Sequence, residues 1–326
     1  MKKIYYITAV FATLFLVGCG DGIDLPGVNV ETDLNKIPLP DNNVNLEQVE
    51  LKPSTEPMLH EGLHTEEDFQ RIRDKKAAGE EPWVSAYQLL VESQFSQKTA
   101  DTYPTEWIKR GISGDENYMN AARGATIVYQ QALRWKIEQD DEYAAKAVEN
   151  LNKWVQTCVG VTGNTNLSLA AGLYGYEFAI AGELLRDYGG WDRADFAAFQ
   201  NWLLKVFYPA NDDFLKRHHD TNALHYWANW CLCNIAAKMA IGIVTDRRDI
   251  YNEGIDHLQT GDTNGRLRRA IYHDYAPDYN FAQWQESGRD QGHTLMCVGL
   301  MGIICQLAWS QGDDFFAYDD NLFLRA

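Results

Sequence analysis

Positive charge is what this chain has least of. Its 326 residues carry 29 Lys and Arg against 46 Asp and Glu, a net charge of −17, and so acidic a surface excludes a polyanionic nucleic acid as a partner. The sequence also lacks a phosphate-cradling G-x-x-x-x-G-K-S/T loop, a dinucleotide glycine fingerprint after a strand, a G-x-S-x-G elbow and an H-E-x-x-H helix. Phosphoryl transfer, hydride transfer, serine hydrolysis and zincin chemistry therefore lose their usual signatures. Period-two runs are nearly missing, so little sheet is expected, and no fixed-period self-similarity marks a tetratricopeptide or ankyrin array. What is abundant is apolar and aromatic: 45% hydrophobic, with 10 Trp and 17 Tyr. That supports a sizeable core, and aromatic side chains that stack on sugar faces add a weak hint of a carbohydrate ligand.

Residues 1–19 read as an export signal. Lys2 and Lys3 form a basic start, Ile4 to Val17 is an apolar stretch too short for a membrane span, and Leu16-Val17-Gly18-Cys19 resembles the bacterial lipobox. Acylation of Cys19 would leave an exported lipoprotein held by lipid alone, at the outer membrane on its periplasmic face or the cell surface. The Pro-, Asn- and acid-rich residues 20–58 read as a flexible tether, and 59–326 as the folded domain. Without Cys19, the cysteines are Cys158, Cys231, Cys233, Cys297 and Cys305, an odd number that leaves at least one thiol free or paired with another chain.

Within the domain, helical periodicity dominates. Thr65 followed by Asp68 predicts an N-cap opening the helix EEDFQRIRDKKAAG. Apolar repeats at three and four through Met119 to Ile137 and Ala144 to Cys158, with Gln139-Asp140-Asp141 between them, predict an antiparallel hairpin. Further helices are predicted at about 168–187, 193–207, 221–243, 247–258 and 290–310. Such hairpins stack as an open solenoid or close into a toroid.

Three polar clusters sit at helix ends or loops. In RHHDTNALHYWANW, residues 217–230, a helix beginning near Thr221 would place Asn222, His225 or Tyr226, and Asn229 on one face, beside Trp227 and Trp230. In NGRLRRAIYHDYAPDYN, residues 264–280, Arg266, Arg268 and Arg269 precede Tyr272, His273 and Tyr275. A guanidinium there would favour a phenolate and make Tyr275 usable as a base, or the arginines simply pair with surface carboxylates. In FAQWQESGRDQGHTLM, residues 281–296, Glu286, Arg289 and His293 would share a helix face, with Gln283 and Asp290 nearby. Support is the expected role of Glu286, and ligand contact that of Arg289 or His293.

TNALHYWANW followed by TDRRDIYNEGIDHL resembles the Asn-Asn-His-x-Tyr-Trp helix and its successor in the alginate lyase family. RRAIYHDY resembles that family's Arg-x-x-x-Tyr-His-x-Tyr segment, and ESGRDQGHT with QGDDFFAYDDNLFLRA is similar to a branch found in glycan-degrading bacteria. The resemblance covers about residue 60 to the end. It implies an all-α (α/α) toroid with a deep cleft, and β-elimination on an acidic polysaccharide of the alginate or glucuronan type, without cofactor or metal. By position it sets Tyr275 on the family's catalytic tyrosine, Arg268 or Arg269 on its cleft arginine, and Asn222 with His225 on its carboxylate-neutralising pair; taken together with the three polar clusters, the expected catalytic residues are Tyr275, His225, Asn222 and Arg269, and the expected substrate-binding residues Arg268, Arg289, His293, Trp227, His219 and Gln283. Asn amides, His and Arg would neutralise the uronate carboxylate and stabilise the enolate-like dianion, while a tyrosine moves the protons. Counted back from the shared Tyr-Trp, the family's Asn-His falls on Ala223 and Leu224, so Asn222 with His225, or else His218 or His219, must serve instead. The chain ends at Ala326 where relatives continue into further helices, which implies an incomplete toroid. No obligate protein partner is evident; the expected partners are an acidic polysaccharide and a membrane reached through the lipid anchor. The competing expectations are an inverting hydrolase on a similar toroid, using Asp220 with Glu286 or Asp290, and a non-catalytic glycan-binding lipoprotein.

Overall fold

The computed structural model describes residues 54–326; the signal segment, Cys19 and the tether up to residue 53 lie outside the described residues. The helices are α1 (Glu66–Ala77), α2 (Trp83–Glu92), α3 (Tyr118–Glu138), α4 (Asp141–Thr157), α5 (Leu167–Leu185), α6 (Arg193–Val206), α7 (Tyr208–Arg217), α8 (Ala228–Val244), α9 (Arg248–Thr260), the short α10 (Leu267–Ala270), α11 (Gln291–Ser310) and α12 (Tyr318–Arg325). Two strand pairs join them. β1 (Trp107–Arg110) lies parallel to β2 (Gly160–Gly163), and β3 (Ile271–Asp274) antiparallel to β4 (Ala282–Trp284).

Side-chain pattern decides which helices lie inside. α5, α8 and α11 are apolar nearly all round, and all but a few of their residues beyond the first turn are buried. Such helices must be surrounded. α4 and α9 each bury one stripe only and form the outer layer. The inner row runs α3, α5, α8, α11, each packed on the next, with α4 against α3 and α9 against α8. This is the helical toroid of hairpins expected from the sequence. α11 is long and apolar enough to cross a membrane by length and composition, but just over half of it is buried within this row.

The inner helices are parallel. β1 and β2 pair in parallel just ahead of α3 and α5. Gly172 near the start of α5 faces Cys233 near the start of α8, and Arg186 after α5 donates to the Ile243 and Val244 carbonyls that end α8. A Cβ on Gly172 would lie 2.5 Å from the Cys233 Sγ, so the two helices meet this closely only because glycine stands there.

Local signals fix the ends. Thr65 and Asp68 form the capping box on α1, and Asp140, Asp192 and Asp290 cap α4, α6 and α11 through their carboxylates. Gln139, at φ 57°, turns the chain from α3 into α4. Phe178 of α5 lies 5.4 Å from Trp154 of α4 and 5.2 Å from Trp202 of α6, ring centre to ring centre, and ties the layers together.

The helix expected from residue 221 begins at Ala228 instead. His218, His219 and Asp220 all have positive φ, 51°, 52° and 59°, and this left-handed turn throws the chain into a loop before α8 starts. Asn222, His225 and Asn229 therefore do not share a helix face. α7 was hidden by Pro209, which reads as a breaker but occupies the first turn, where a missing N–H costs nothing.

Candidate functional site

Because the inner helices run parallel, their unpaired N–H groups and positive dipole ends gather at one face of the molecule. There the first and third polar clusters meet. Gln285 Oε1 accepts from the Ala228 amide at 3.1 Å and Glu286 Oε1 from the Asn229 amide at 3.0 Å, so two side chains from the approach to α11 cap α8. Glu286 is fully buried. Its other oxygen stands 3.3 Å from Arg289 Nη1, and the Arg289 guanidinium lies 5.4 Å above the half-exposed Trp227 ring. Glu286 thus has the supporting role expected of it: it orients the Arg289–Trp227 pair and does not face solvent. Asp290, which caps α11, also holds His293 Nδ1 at 2.6 Å, while backbone hydrogen bonding from His293 keeps the Asp290 carboxyl below the usual range.

The second cluster forms a separate hairpin. The Tyr275 hydroxyl donates to Gln283 Oε1 at 2.9 Å, Gln283 Nε2 donates to Ser287 Oγ at 2.9 Å, and the His273 ring lies 4.3 Å from the Tyr275 ring. Partial burial pushes the Tyr275 phenol upward, not down as the nearby arginines suggested. The reason is visible in their partners. Arg268 pairs with Asp274 at 3.5 Å and with Asp319 of α12, and Asp274 also takes Arg325. Arg269 has no carboxylate partner among the described residues, and its Nε is buried without an acceptor.

The loop of residues 218–227 distributes its polar groups unevenly. His218 is buried, its ring edge-on to Phe214, and desolvation lowers its pKa. His219 Nε2 is 3.0 Å from Ser168 Oγ in the first turn of α5. Asn222 Oδ1 accepts from the Leu224 amide, and the exposed His225 ring packs at 4.9 Å against the buried Tyr226. The Asn229 side-chain oxygen is buried without a partner.

A cavity of about 900 Å³, walled by α3, α5, α11 and residues 61–71, runs along the inner helices. Arg110 and Tyr118 stand at its end nearest the helix starts, and Glu177 and Tyr129 lie deeper. None of these residues was anticipated. Glu177 alone left a trace in the sequence, as the only charged residue between Leu167 and Ile180. Among the described residues, no group of three or more His, Cys, Asp or Glu side chains is placed to hold a metal ion.

A family model described as "Alginate lyase" matches residues 72–325. Solved structures are similar in fold. An alginate lyase A1-III variant complexed with a tetrasaccharide is 14% identical at a TM-score of 0.60, covering 80% of this chain and 73% of that one. Alginate lyase A1-III from Sphingomonas species A1 is 13% identical at 0.55, covering 80% and 74%. An alginate lyase from Bacteroides ovatus is 13% identical at 0.53, covering 79% and 78%. No curated protein sequence matches the chain.

Proposed function

This chain belongs to the alginate lyase family, and from that membership we propose that it is a polysaccharide lyase cleaving a uronate-containing polysaccharide by β-elimination, with Tyr275 moving the protons. The observation that carries the assignment of Tyr275 is its placement: a phenol fixed by Gln283, beside the His273 imidazole, on a hairpin at the end of the molecule.

The chemistry demands three things. The proton α to a uronate carboxylate is acidic enough to remove only when the carboxylate charge is neutralised. A base must take that proton, and an acid must protonate the departing glycosidic oxygen. A phenol held above its ordinary pKa arrives protonated. It suits the acid half of the reaction at once and becomes a base when bound substrate, Gln283 and a neighbouring cation stabilise the phenolate. Arg269, without a carboxylate partner, is the cation for that role, since Asp274 and Asp319 already compensate Arg268. Asn222 and His225, on the exposed loop ahead of α8, supply neutralising donors for the carboxylate. Trp227 with Arg289 offers a ring face and a guanidinium to a neighbouring sugar. A hydrolytic carboxylate pair finds no support: Glu286 caps α8 from full burial, and Asp220 is tied to Arg217 at 3.0 Å.

The test is ultraviolet absorbance of the unsaturated uronate during incubation with alginate, glucuronan and a neutral glycan. Absorbance should rise on a uronan alone and fall at least about 100-fold in Tyr275→Phe. No rise on any uronan from a protein with a folded helical spectrum, or an unimpaired Tyr275→Phe, overturns the reading. We also infer from residues 1–19 that the chain is an exported, lipid-anchored protein acylated at Cys19. Metabolic labelling with a fatty acid should mark the wild-type chain and not Cys19→Ala.

A further inference from the structure

On the reading that Tyr275 moves the protons, we propose that Ser287 is a positioning residue for it: through the Gln283 amide, Ser287 holds the phenol as a hydrogen-bond donor, and Tyr275 becomes a base only when that amide turns over.

The direction of one hydrogen-bond chain leads to this. A backbone carbonyl can only accept, and a serine hydroxyl has one proton to give. Ser287 Oγ lies 2.7 Å from the Trp284 carbonyl oxygen and commits its proton there. Toward the Gln283 side chain, 2.9 Å away, it can then only accept, so the amide nitrogen faces Ser287 and the amide oxygen faces Tyr275. The phenol, 2.9 Å from that oxygen, must donate. The two ends of a glutamine amide are told apart by their partners, and here the fixed polarity of the Trp284 carbonyl decides them.

Ionising Tyr275 means reversing the chain. A phenolate against the amide oxygen would set two acceptors face to face, each without its hydrogen bond. If the amide turns over, its nitrogen donates to the phenolate and its oxygen accepts from Ser287, whose hydroxyl leaves the Trp284 carbonyl. The phenolic proton passes to bulk water and no other covalent bond changes. The phenolate then takes the α proton of the uronate and gives it to the departing oxygen. A hydroxyl serves both directions because it donates and accepts; threonine can do the same, and alanine cannot.

Other ionisable groups surround the phenol. β3 packs on β4, α10 and α12. Its own residues include Tyr272, His273 and Asp274, and the turn to β4 carries Asp278 and Tyr279. β4 brings no charge, α10 brings Arg268 and Arg269, and α12 brings Asp319 and Arg325. Beside Ser287, Glu286 faces α8. These groups and the partial burial that pushes the phenol upward set where Tyr275 titrates. They are common to every variant below, so a difference between variants belongs to Ser287.

Tyr275→3-fluorotyrosine followed by fluorine NMR reports this one phenol among 17 tyrosines, and the fluorine brings its ionisation to milder pH. With Ser287→Ala added, the phenol should ionise about half a pH unit or more lower, the worth of one neutral hydrogen bond. With Ser287→Thr it should follow the parent. Ser287 is exposed, so both variants should keep the helical spectrum. An alanine variant that ionises with the parent or above it, or a threonine variant that shifts as alanine does, overturns the proposal. Turnover is measured separately, with Tyr275 intact, on a uronan. The rise of kcat with pH should move down by the same amount in Ser287→Ala and not in Ser287→Thr, at unchanged KM; a kcat profile that stays in place while the fluorine titration moves also overturns the proposal. A fluorine shift without turnover in any variant rejects the lyase chemistry, whereas turnover without a fluorine shift rejects the role of Ser287 alone.

Discussion

Replacing Glu286 should cost stability before it costs chemistry. In Glu286→Ala the Asn229 amide at the start of α8 loses a charged acceptor at 3.0 Å, and a charge-assisted hydrogen bond at a buried helix end contributes about 1.5–3 kcal/mol. The lost contact with Arg289 adds less than about 1 kcal/mol, because that guanidinium is 31% exposed. The sum is about 2–4 kcal/mol, or a melting temperature lower by about 4–8 °C for a domain of this size. Glu286→Gln keeps an acceptor oxygen and should lose about 1 kcal/mol. Thermal and denaturant unfolding followed by circular dichroism measures both. On the folded enzyme the loosened Arg289–Trp227 pair should raise KM while kcat holds. An alanine variant within about 0.5 kcal/mol of wild type, or a kcat that collapses at unchanged KM, would refute the assignment of Glu286 to support.

Three further outcomes are expected. Glu177 keeps its proton to about pH 8 in the fold but releases it near 4.5 when unfolded, so stability should fall as pH rises between those values, by up to about 1.4 kcal/mol per unit. Below pH 6.5 the buried His64 and His257, both lowered to about 4, act in the opposite direction. Denaturant titrations from pH 6.5 to 8 should therefore show a shallower slope in Glu177→Gln than in wild type, and parallel slopes would contradict the burial of this acid. Lys238, 4% exposed, stands 2.8 Å from Asp212 and 2.6 Å from Glu253; Lys238→Ala removes the buried cation between them, but Asp212 keeps Lys216 and Glu253 keeps the Tyr208 hydroxyl, so the loss of unfolding free energy should be about 1–3 kcal/mol. Gly172→Ala should destabilise by about 1–3 kcal/mol despite alanine's better helix propensity, and Cys233→Ala should recover part of that loss in the double mutant if the α5–α8 contact is the cause.

The helical frame was legible because its signals are local. The Thr65–Asp68 box, the Gln139-Asp140-Asp141 turn and the apolar repeats of α3 and α4 each state their structure within a few residues. The start of α8 was not legible, because it depends on Gln285 and Glu286, nearly sixty positions away, and on a left-handed turn at residues non-glycine throughout. The polar clusters were found as sequence, but their division was not: Tyr275 and Gln283 belong to one hairpin, while Trp227 and Arg289 belong to the capped end of α8. The cavity escaped because its walls read as core. Tyr118, Tyr174 and Glu177 come from the inner faces of two helices, and Arg110 from a four-residue strand whose pairing with β2 spans fifty residues.

The parallel inner row divides the protein into parts that can change at different rates. The segments that carry the proposed lyase chemistry, from the loop of residues 218–227 to the hairpin and the approach to α11, are connections entering an inner helix. These connections can lengthen, shorten or exchange side chains without disturbing the Gly172–Cys233 contact or the Phe178 stack. Natural variation in which uronate is cut should therefore gather in those few connections, and chimaeras that exchange them between relatives are a direct route to new substrate ranges on an unaltered frame.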